Sequence, residues 1–314
     1  MYNYTMRLDK YGNKYVGLPK KESTQDYLPE ALRIKIKEEL SNNIDKILDK
    51  YSYSYKEIII DDNKTDIFPP QYTLDKSITF EEYCQKYIKV WNNVKVDRIP
   101  FKLTSNQHKT YSYIENNKFS IINQYRQAGL TTLLSNYSVY KALSTPNITI
   151  GYFGVSKNHL RDVFKHIVPF ELECSVKRQT VDLIEFYNGS KIMFKILTEN
   201  ALIGINCDLI ILDNYAFFNY NNIIESLISR LKPNGSIIIS STPKKDSNFN
   251  KICIDAYEDK NDFKYLKLNW FDDEIFNQNI KIDINGVKKN DWSTKILNHS
   301  GKERFEEEVL GLVL

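Results

Sequence analysis

The stretch FSIINQYRQAGLTTLL, residues 119–134, decides the fold of this chain. Its opening FSII predicts a short buried strand, and a polar turn with a single glycine, Gly129, follows. Thr131 and Thr132 then begin a segment with helical apolar spacing, which predicts a helix. A strand, a glycine turn and a helix in this order are typical of loops whose backbone N–H groups bind phosphate, with a hydroxyl in reach of Mg²⁺. Leu130 stands where such loops carry lysine, so an ordinary strand–helix turn remains the alternative.

The composition describes a soluble globular protein with one large domain or two smaller ones in 314 residues. The 43 lysines and arginines nearly balance the 40 aspartates and glutamates, and a net charge of +3 does not by itself indicate nucleic-acid binding. The four cysteines have no C-x-x-C spacing, which argues against a zinc site or a disulfide framework and fits a reducing compartment. No apolar run approaches the roughly 18 residues of a membrane helix, and the N-terminus lacks a signal-peptide core, so we expect no membrane partner.

Residues 1–99 predict a mainly helical N-terminal arm or lid region. After a polar, tyrosine-bearing arm, apolar residues recur every fourth position between Thr24 and Ser52, the stripe of an amphipathic helix or helix pair. Ile58 to Ile60 favours a short strand, and the run from Thr79 to Glu82 has the composition of a helix start.

From about Pro100 the pattern changes to alternating strands and helices, and residues 100–270 predict a core with a mostly parallel sheet flanked by helices. Strands are predicted at 148–155, 208–213 and 236–240, and a hairpin with an Asn-Gly turn at 183–196. Helices are predicted at 157–167 and 221–231, the second ended by Pro233 and Gly235. Residues 271–314 predict a helical C-terminal lid segment, with Trp270 and Trp292 as packing anchors.

Three further features lie where they can meet the glycine turn. The strand from Leu209 ends in Asp213, a carboxylate placed to hold Mg²⁺ through water, although aspartate at a strand end also suits an ordinary turn. The strand before Ser240 runs into hydroxyl side chains at the sheet edge where parallel sheets bind ligands. Gln107 precedes the first core strand, and a side-chain amide can pair with an adenine edge, although a lone glutamine is usually a surface residue.

Together these residues resemble the ATPase domain of the terminase large subunit, the DNA-packaging motor of tailed bacteriophages. The family's phosphate loop is Arg-Gln-x-Gly-Lys-Thr/Ser-Thr/Ser, and this chain has RQAGLTT from Arg126. The family's second motif ends Asp-Glu-x-Ala-Phe, and here the chain reads DNYAF from Asp213. The coupling motif Thr/Ser-Thr-Thr/Ser-Pro matches SSTP from Ser240, and the family's adenine-reading glutamine matches Gln107. The resemblance covers about Pro100 to the end of the chain and implies a P-loop NTPase fold of the terminase and RecA type.

The resemblance implies a site for ATP and Mg²⁺. Its nucleotide-binding residues would be Gln107, Arg126, Gln127, Ala128, Gly129, Leu130, Thr131 and Thr132. Thr131 and Asp213 would hold the metal, while Arg126, Asp213 and Asn214 occupy the catalytic positions. Ser240, Ser241 and Thr242 would couple hydrolysis to movement.

Three charged positions of the family are neutral in this chain. Leu130 replaces the lysine that neutralises the β- and γ-phosphates, and Asn214 replaces the glutamate that polarises the attacking water. Ile203 stands where the family carries an arginine about ten residues before Asp213. Since stabilising transition-state charge is most of what such sites contribute, weak or absent hydrolysis is expected. Arg126 is the cation left in the loop.

Two functions follow from the resemblance. The first is a packaging ATPase that translocates double-stranded DNA as a homo-oligomeric ring on the portal, with a small terminase or a separate nuclease subunit as partner. The second is a catalytically degenerate derivative with a structural or regulatory role. A third, a helicase-like ATPase outside packaging, is disfavoured because the chain has the Ala-Phe and Thr-Pro pairs of the terminase motifs. The chain ends near where the family's nuclease domain would begin, so no nuclease domain is expected. The expected location is the host cell cytoplasm, alone or associated with the capsid.

Overall fold

The computed structural model describes residues 6–8, 14–16, 74–75, 77–92, 96–164, 167–198, 206–218 and 223–312. The chain divides into two units, residues 1–65 and 66–314. In the first, strands β1 (Met6–Leu8) and β2 (Lys14–Val16) form an antiparallel hairpin. The helix predicted between residues 24 and 52 and the strand predicted at 58–60 lie outside the described residues.

The second unit begins, in its described part, with a capped helix and a hairpin. Helix α1 (Phe80–Tyr87) starts at Thr79, whose hydroxyl accepts from the Glu82 N–H while the Glu82 carboxylate accepts from the Thr79 N–H, so the predicted helix start is confirmed. Strands β3 (Lys89–Asn92) and β4 (Asp97–Pro100) pair antiparallel directly after it.

Eight strands form the central sheet. They are β5 (Phe119–Asn123), β6 (Thr149–Gly154), β7 (Val176–Gln179), β8 (Leu183–Phe186), β9 (Lys191–Ile196), β10 (Cys207–Asp213), β11 (Leu231–Ser241) and β12 (Lys264–Lys267). Their spatial order is β12-β5-β11-β10-β6-β9-β8-β7, parallel from β12 to β9 and antiparallel across β8 and β7. The predicted α/β class with a mostly parallel sheet is therefore confirmed.

Helices cover both faces of this sheet. They are α2 (Ser105–Asn116), α3 (Leu130–Ser144), α4 (Lys157–Phe164), α5 (Ile223–Ile228), α6 (Asn248–Tyr257) and α7 (Asp291–Glu308). Neighbouring residues of β5 belong to different hydrophobic clusters. Ile122 packs in the cluster that contains residues of α3, and Ile121 packs in the cluster that contains residues of α6. Because both faces of the central strands are buried, their sequences are continuous apolar runs.

The prediction of a helix up to residue 231 is wrong at its C-terminal end. Helix α5 ends at Ile228, and Leu231 begins β11. Leu231 pairs with Cys207 and Ser236 with Leu209, so the four residues between Leu231 and Ser236 face only one residue of β10 and form a bulge. Proline and glycine at 233 and 235 thus mark an irregular strand and not the end of a helix.

The C-terminal segment contains more than helix. A two-stranded hairpin, β13 (Lys281–Ile282) and β14 (Lys288–Lys289), precedes α7, which is kinked at Gly301. Trp270 is buried, and its ring centroid lies 5.7 Å from that of Trp292.

The core of the second unit includes residues before the expected boundary at Pro100. Phe80 and Tyr83 of α1 are fully buried in the same cluster as Leu133 and Leu134 of α3. The division into functional domains stays a prediction. In the described part of the chain, no helix is long and apolar enough to cross a membrane.

Candidate functional site

The loop between β5 and α3, residues 124–129, connects a strand to a helix as the sequence predicts. Gln127 (φ +68°) and Gly129 (φ +72°) are left-handed, a conformation that glycine adopts without steric cost. Gly129 is the N-cap of α3 and offers no side chain to cap the helix. The first N–H groups of a helix have no partner within the helix, so the start of α3 can donate to an anion beside the loop.

The Asp213 carboxylate lies beside the start of α3. It is fully buried at the end of β10, and its Oδ2 accepts from the Thr131 hydroxyl at 2.8 Å. Its Oδ1 accepts from the Ser240 hydroxyl at 3.3 Å. The structure thus brings together one residue from each of the three motifs that the sequence predicted separately.

Two further groups on Asp213 were missed by sequence reasoning. The Tyr152 hydroxyl of β6 donates to Oδ2 at 3.0 Å, and Nε2 of His159 in α4 lies 3.4 Å from the same oxygen. Burial, followed by the charge of Asp213, raises the pKa of Tyr152 well above its ordinary value, so the phenol stays protonated and donates. No local pattern marked either residue, because both reach Asp213 only through the pairing of β6 with β10.

Ser241 connects the strand end of β11 to two other loops. Its hydroxyl accepts from the Ala216 N–H at 3.1 Å, and its carbonyl oxygen accepts from the Gln124 N–H at 3.0 Å. The turn after β10 and the start of the phosphate loop are therefore joined through one residue. Thr242, the next predicted coupling residue, follows β11 and is half-buried.

Asn214 directly follows Asp213 and has a left-handed backbone (φ +61°, ψ 42°) before a short 3₁₀ turn, Tyr215–Phe217. Asparagine tolerates this conformation better than other residues with a side chain. The residue type at this position thus suits the turn, and its amide cannot accept a proton from water.

The charge in the loop differs from that of a lysine-bearing loop. Leu130 is buried in the hydrophobic cluster beneath α3. The Arg126 guanidinium lies 3.2 Å from the Glu308 carboxylate of α7, and the Arg126 N–H donates to the Glu308 carbonyl at 2.6 Å. The loop cation is thus paired with the C-terminal helix.

Gln107 lies behind the loop, with its side chain engaged by the chain itself. Its Oε1 accepts from the Thr104 N–H at 3.0 Å, and its Nε2 lies 3.4 Å from the carbonyl oxygens of Ala128 and Gly129. Contact with an adenine edge stays a prediction. Gln107 borders a cleft of about 630 Å³, which is named here the apolar cleft. Its walls include Trp91, Ile99, Phe101, Gln127, Gly129, Thr132 and Ile275.

The acidic run at residues 272–274 forms contacts inside the structure, although such runs are usually solvated. Asp273 is buried and accepts from the Thr104 and Tyr125 hydroxyls at 2.9 and 2.6 Å. Glu274 accepts from the N–H and hydroxyl of Ser105 at the start of α2. Both carboxylates hold the C-terminal segment against α2 and the first part of the loop.

The family described as terminase large subunit, T4likevirus-type, N-terminal, matches residues 121–314. The chain belongs to this family. The match covers more than half of the chain, so the resemblance drawn from the motifs is confirmed. No curated protein sequence matches.

Solved structures of large terminases share the fold. The large terminase ATPase domain of Thermus phage P74-26, in a mutant form, has a TM-score of 0.54 at 16% identity, over 67% of this chain and 94% of that one. The large terminase of a thermophilic bacteriophage in complex with ADP has a TM-score of 0.51 at 14% identity, over 68% of this chain and 54% of that one. The HK97 bacteriophage large terminase has a TM-score of 0.55 at 14% identity, over 75% and 55%. This terminase chain thus spans about half the length of the last two proteins. Family and fold together support a DNA-packaging ATPase function.

The residues at the start of α3 and at the end of β10 suit a phosphate and a magnesium ion. The open start of α3 suits phosphate, and the Thr131 hydroxyl and the Asp213 carboxylate are oxygen groups of the kind that Mg²⁺ prefers. Among the residues that the structure describes, no group of three or more His, Cys, Asp or Glu side chains is placed to hold a metal. A metal at this site would take most of its ligands from phosphate and water, as Mg²⁺ usually does. The segment around Ile203, where the family's arginine is missing, lies outside the described residues.

Proposed function

We propose that this chain is the nucleotide-binding part of a large terminase, which uses ATP with Mg²⁺ to package double-stranded DNA into a bacteriophage capsid. The observation that carries the proposal is the hydrogen bond between Thr131 and the buried Asp213, formed directly below the open start of α3. A hydroxyl and a carboxylate in this position are the pair that P-loop ATPases use for the metal.

Each residue has a definite task in this proposal. The N–H groups of the loop and of the first turn of α3 would bind the phosphates, and Thr131 and Asp213 would hold the metal. Tyr152 and Ser240 donate to Asp213 and fix its orientation. Arg126 would contact the γ-phosphate once released from Glu308. Bound nucleotide supplies the reactive phosphoryl group, and Mg²⁺ offsets its charge.

Movement in the site would reach the rest of the motor through Ser240, Ser241 and Thr242. Ser240 contacts Asp213, and Ser241 contacts the turn after β10 and the start of the phosphate loop. Loss of the γ-phosphate would therefore change contacts at the end of β11. DNA would be held through its phosphates by lysine and arginine side chains and not through base contacts.

The assembly follows from the same proposal. A homo-oligomeric ring would act on the portal in the host cell cytoplasm, with a small terminase or a separate nuclease subunit as partner.

A second candidate is a terminase-like subunit that binds nucleotide weakly and hydrolyses little or none. Three observations favour it: Leu130 is buried in the core, Asn214 cannot act as a base, and Arg126 is paired with Glu308. Its role would be structural or regulatory, beside an active copy or within the particle.

Nucleotide binding and turnover by the purified chain, with and without double-stranded DNA, separate the two candidates. DNA-stimulated turnover supports the packaging ATPase, and binding without turnover supports the degenerate subunit. Asp213→Asn should remove the Mg²⁺-dependent part of the ATP affinity. Asp208→Asn, at the opposite end of the same strand, is the matched control and should leave it unchanged. An unchanged affinity in Asp213→Asn would remove this carboxylate from the site.

A further inference from the structure

A second cleft, of about 420 Å³, lies between the phosphate loop and α7. Its walls include Arg126, Gln127, Trp292, Lys295, His299 and Ser300, and it is named here the cationic cleft. It meets the apolar cleft at Gln127, which borders both.

The local structure of α7 turns its basic residues toward the loop. Asn290 caps the helix by accepting from the Ser293 N–H, and this fixes where the helix begins. Trp292, Lys295 and His299 follow at spacings of three and four residues, which place them on one face. The Trp292 indole N–H donates to the Gln127 side-chain oxygen at 3.0 Å, so this face is anchored to the loop.

The charges around this cleft are unbalanced. Arg126 lines the cleft, and the Glu308 carboxylate, 3.2 Å from its guanidinium, offsets its charge. Among the residues that the structure describes, no carboxylate pairs with Lys295. Lys295 is exposed at the edge of the loop, beside Arg126 and His299, and this local positive charge attracts an anion that reaches the cleft.

The positions of the two clefts define which part of a nucleotide each would take. If the base of a nucleotide lies in the apolar cleft, its phosphates lie along the start of α3, at Gly129 and Thr131. The far end of that path is the beginning of the loop, at Arg126 and Gln127, where the cationic cleft opens. The group that reaches this cleft is then the terminal phosphate.

We propose that the cationic cleft binds the terminal phosphate of a nucleoside triphosphate and that Lys295 supplies, from the C-terminal helix, the positive charge that Leu130 does not. The inference rests on the proposed function and adds to it a binding residue outside the three motifs. If the terminal phosphate is the group that reaches the cleft, a diphosphate ends short of it, and Lys295 then contacts only a triphosphate. Lys295 is exposed, and a charge-assisted hydrogen bond from it to a phosphate changes affinity about tenfold.

The test is calorimetric titration of the full chain with Mg²⁺-ATP and with Mg²⁺-ADP. Lys295→Gln should weaken ATP binding about tenfold and leave ADP binding unchanged, whereas Lys295→Arg should keep most of the ATP affinity. Lys302→Gln is the matched control: its ammonium group lies on the same helix beyond the kink, is mostly exposed and pairs with Glu306 at 3.6 Å. This control should change neither affinity. Thermal unfolding of each variant verifies that the fold is kept.

The possible failures are distinguishable. If ATP and ADP bind and Lys295→Gln weakens both equally or neither, the inference is overturned while the proposed nucleotide site stands. If the unaltered chain binds neither nucleotide at millimolar concentration, the proposed function fails, and the inference fails with it.

Discussion

Gly129→Ala should destabilise the protein by more than the cost of placing an alanine in a left-handed backbone conformation. Gly129 has φ +72°, and a Cβ built there would lie 2.5 Å from Nε2 of Gln107, closer than real Cβ contacts occur. Gln107 is buried and cannot simply turn into solvent. The alanine methyl group would therefore displace the amide from the carbonyl oxygens of the loop.

Two contributions set the magnitude. A left-handed backbone costs an alanine about 1–2 kcal/mol. The Gln107 amide nitrogen faces two carbonyl oxygens, and because each contact has the long distance of 3.4 Å, losing both weak contacts counts as one neutral hydrogen bond, about 1 kcal/mol. Gly286 supplies the control, because it has a similar φ of +77° and nothing within 4 Å of its built Cβ. Gly286→Ala should thus cost about 1–2 kcal/mol, and Gly129→Ala about 2–3 kcal/mol.

Urea unfolding followed by tryptophan fluorescence measures both losses, provided that the slope against denaturant is unchanged between variants. A second background isolates the cause: with Gln107→Ala present, Gly129→Ala should cost no more than Gly286→Ala, because the clash partner is gone. Equal losses for Gly129→Ala and Gly286→Ala in the natural background would refute the reasoning. The close approach of Gln107 to the loop would then contribute nothing to stability.

Three further predictions concern charge. The double substitution Leu130→Lys with Asn214→Glu should raise ATP turnover by about 10²-fold, since both charges act in the transition state. The rate of phosphate release measures this turnover, and no gain would mean that other parts of the site have also changed. Glu308→Gln should free Arg126 and tighten Mg²⁺-ATP binding about threefold in calorimetry; an unchanged affinity would show that Arg126 does not reach the nucleotide. Burial raises the pKa of Glu274, but hydrogen bonds from the first turn of α2 outweigh burial and lower the pKa below its usual value of 4.5. The ionised Glu274 carboxylate therefore stabilises the folded protein above pH 4.5, and this stabilisation is lost as the pH falls through the pKa of the folded state. In Glu274→Gln the free energy of unfolding should decrease less over that acidic range than in the unaltered protein. Acid unfolding experiments in which both proteins show the same pH dependence would contradict this.

The elements of the fold that local pattern controls were predictable. The strand–loop–helix unit around Gly129 and the strand ending in Asp213 were predicted nearly to the residue, because buried parallel strands are continuous apolar runs with polar ends. Pro233 misled the prediction, since a proline that usually ends a helix here lies in a bulge of β11. The bulge depends on pairing with β10, which the sequence around the proline does not reveal.

In the candidate site, too, residues in local motifs were predictable and residues brought in by long-range strand pairing were not. Thr131, Asp213 and Ser240 belong to local motifs, so their meeting followed from the prediction that these motifs lie at one edge of a mostly parallel sheet. Tyr152 and His159 reach Asp213 from a neighbouring strand and the helix after it, and nothing in their own surroundings marks them as polar contacts of the site. Long-range contacts of this kind require the fold before they can be predicted.

The contacts of the phosphate loop show what positions it without a lysine. Four successive residues each bond to a distant segment: the Tyr125 hydroxyl to Asp273, the Arg126 guanidinium to Glu308, the Gln127 side chain to Trp292 and the Ala128 carbonyl to Gln107. Three of these four partners belong to the C-terminal segment. A ligand shifts a conformational equilibrium only through contacts that differ between the states. If phosphate binding moves Arg126 or the Gln127 side chain, it changes the contacts of α7, and the proposed nucleotide site and the C-terminal helix would then be coupled through this loop.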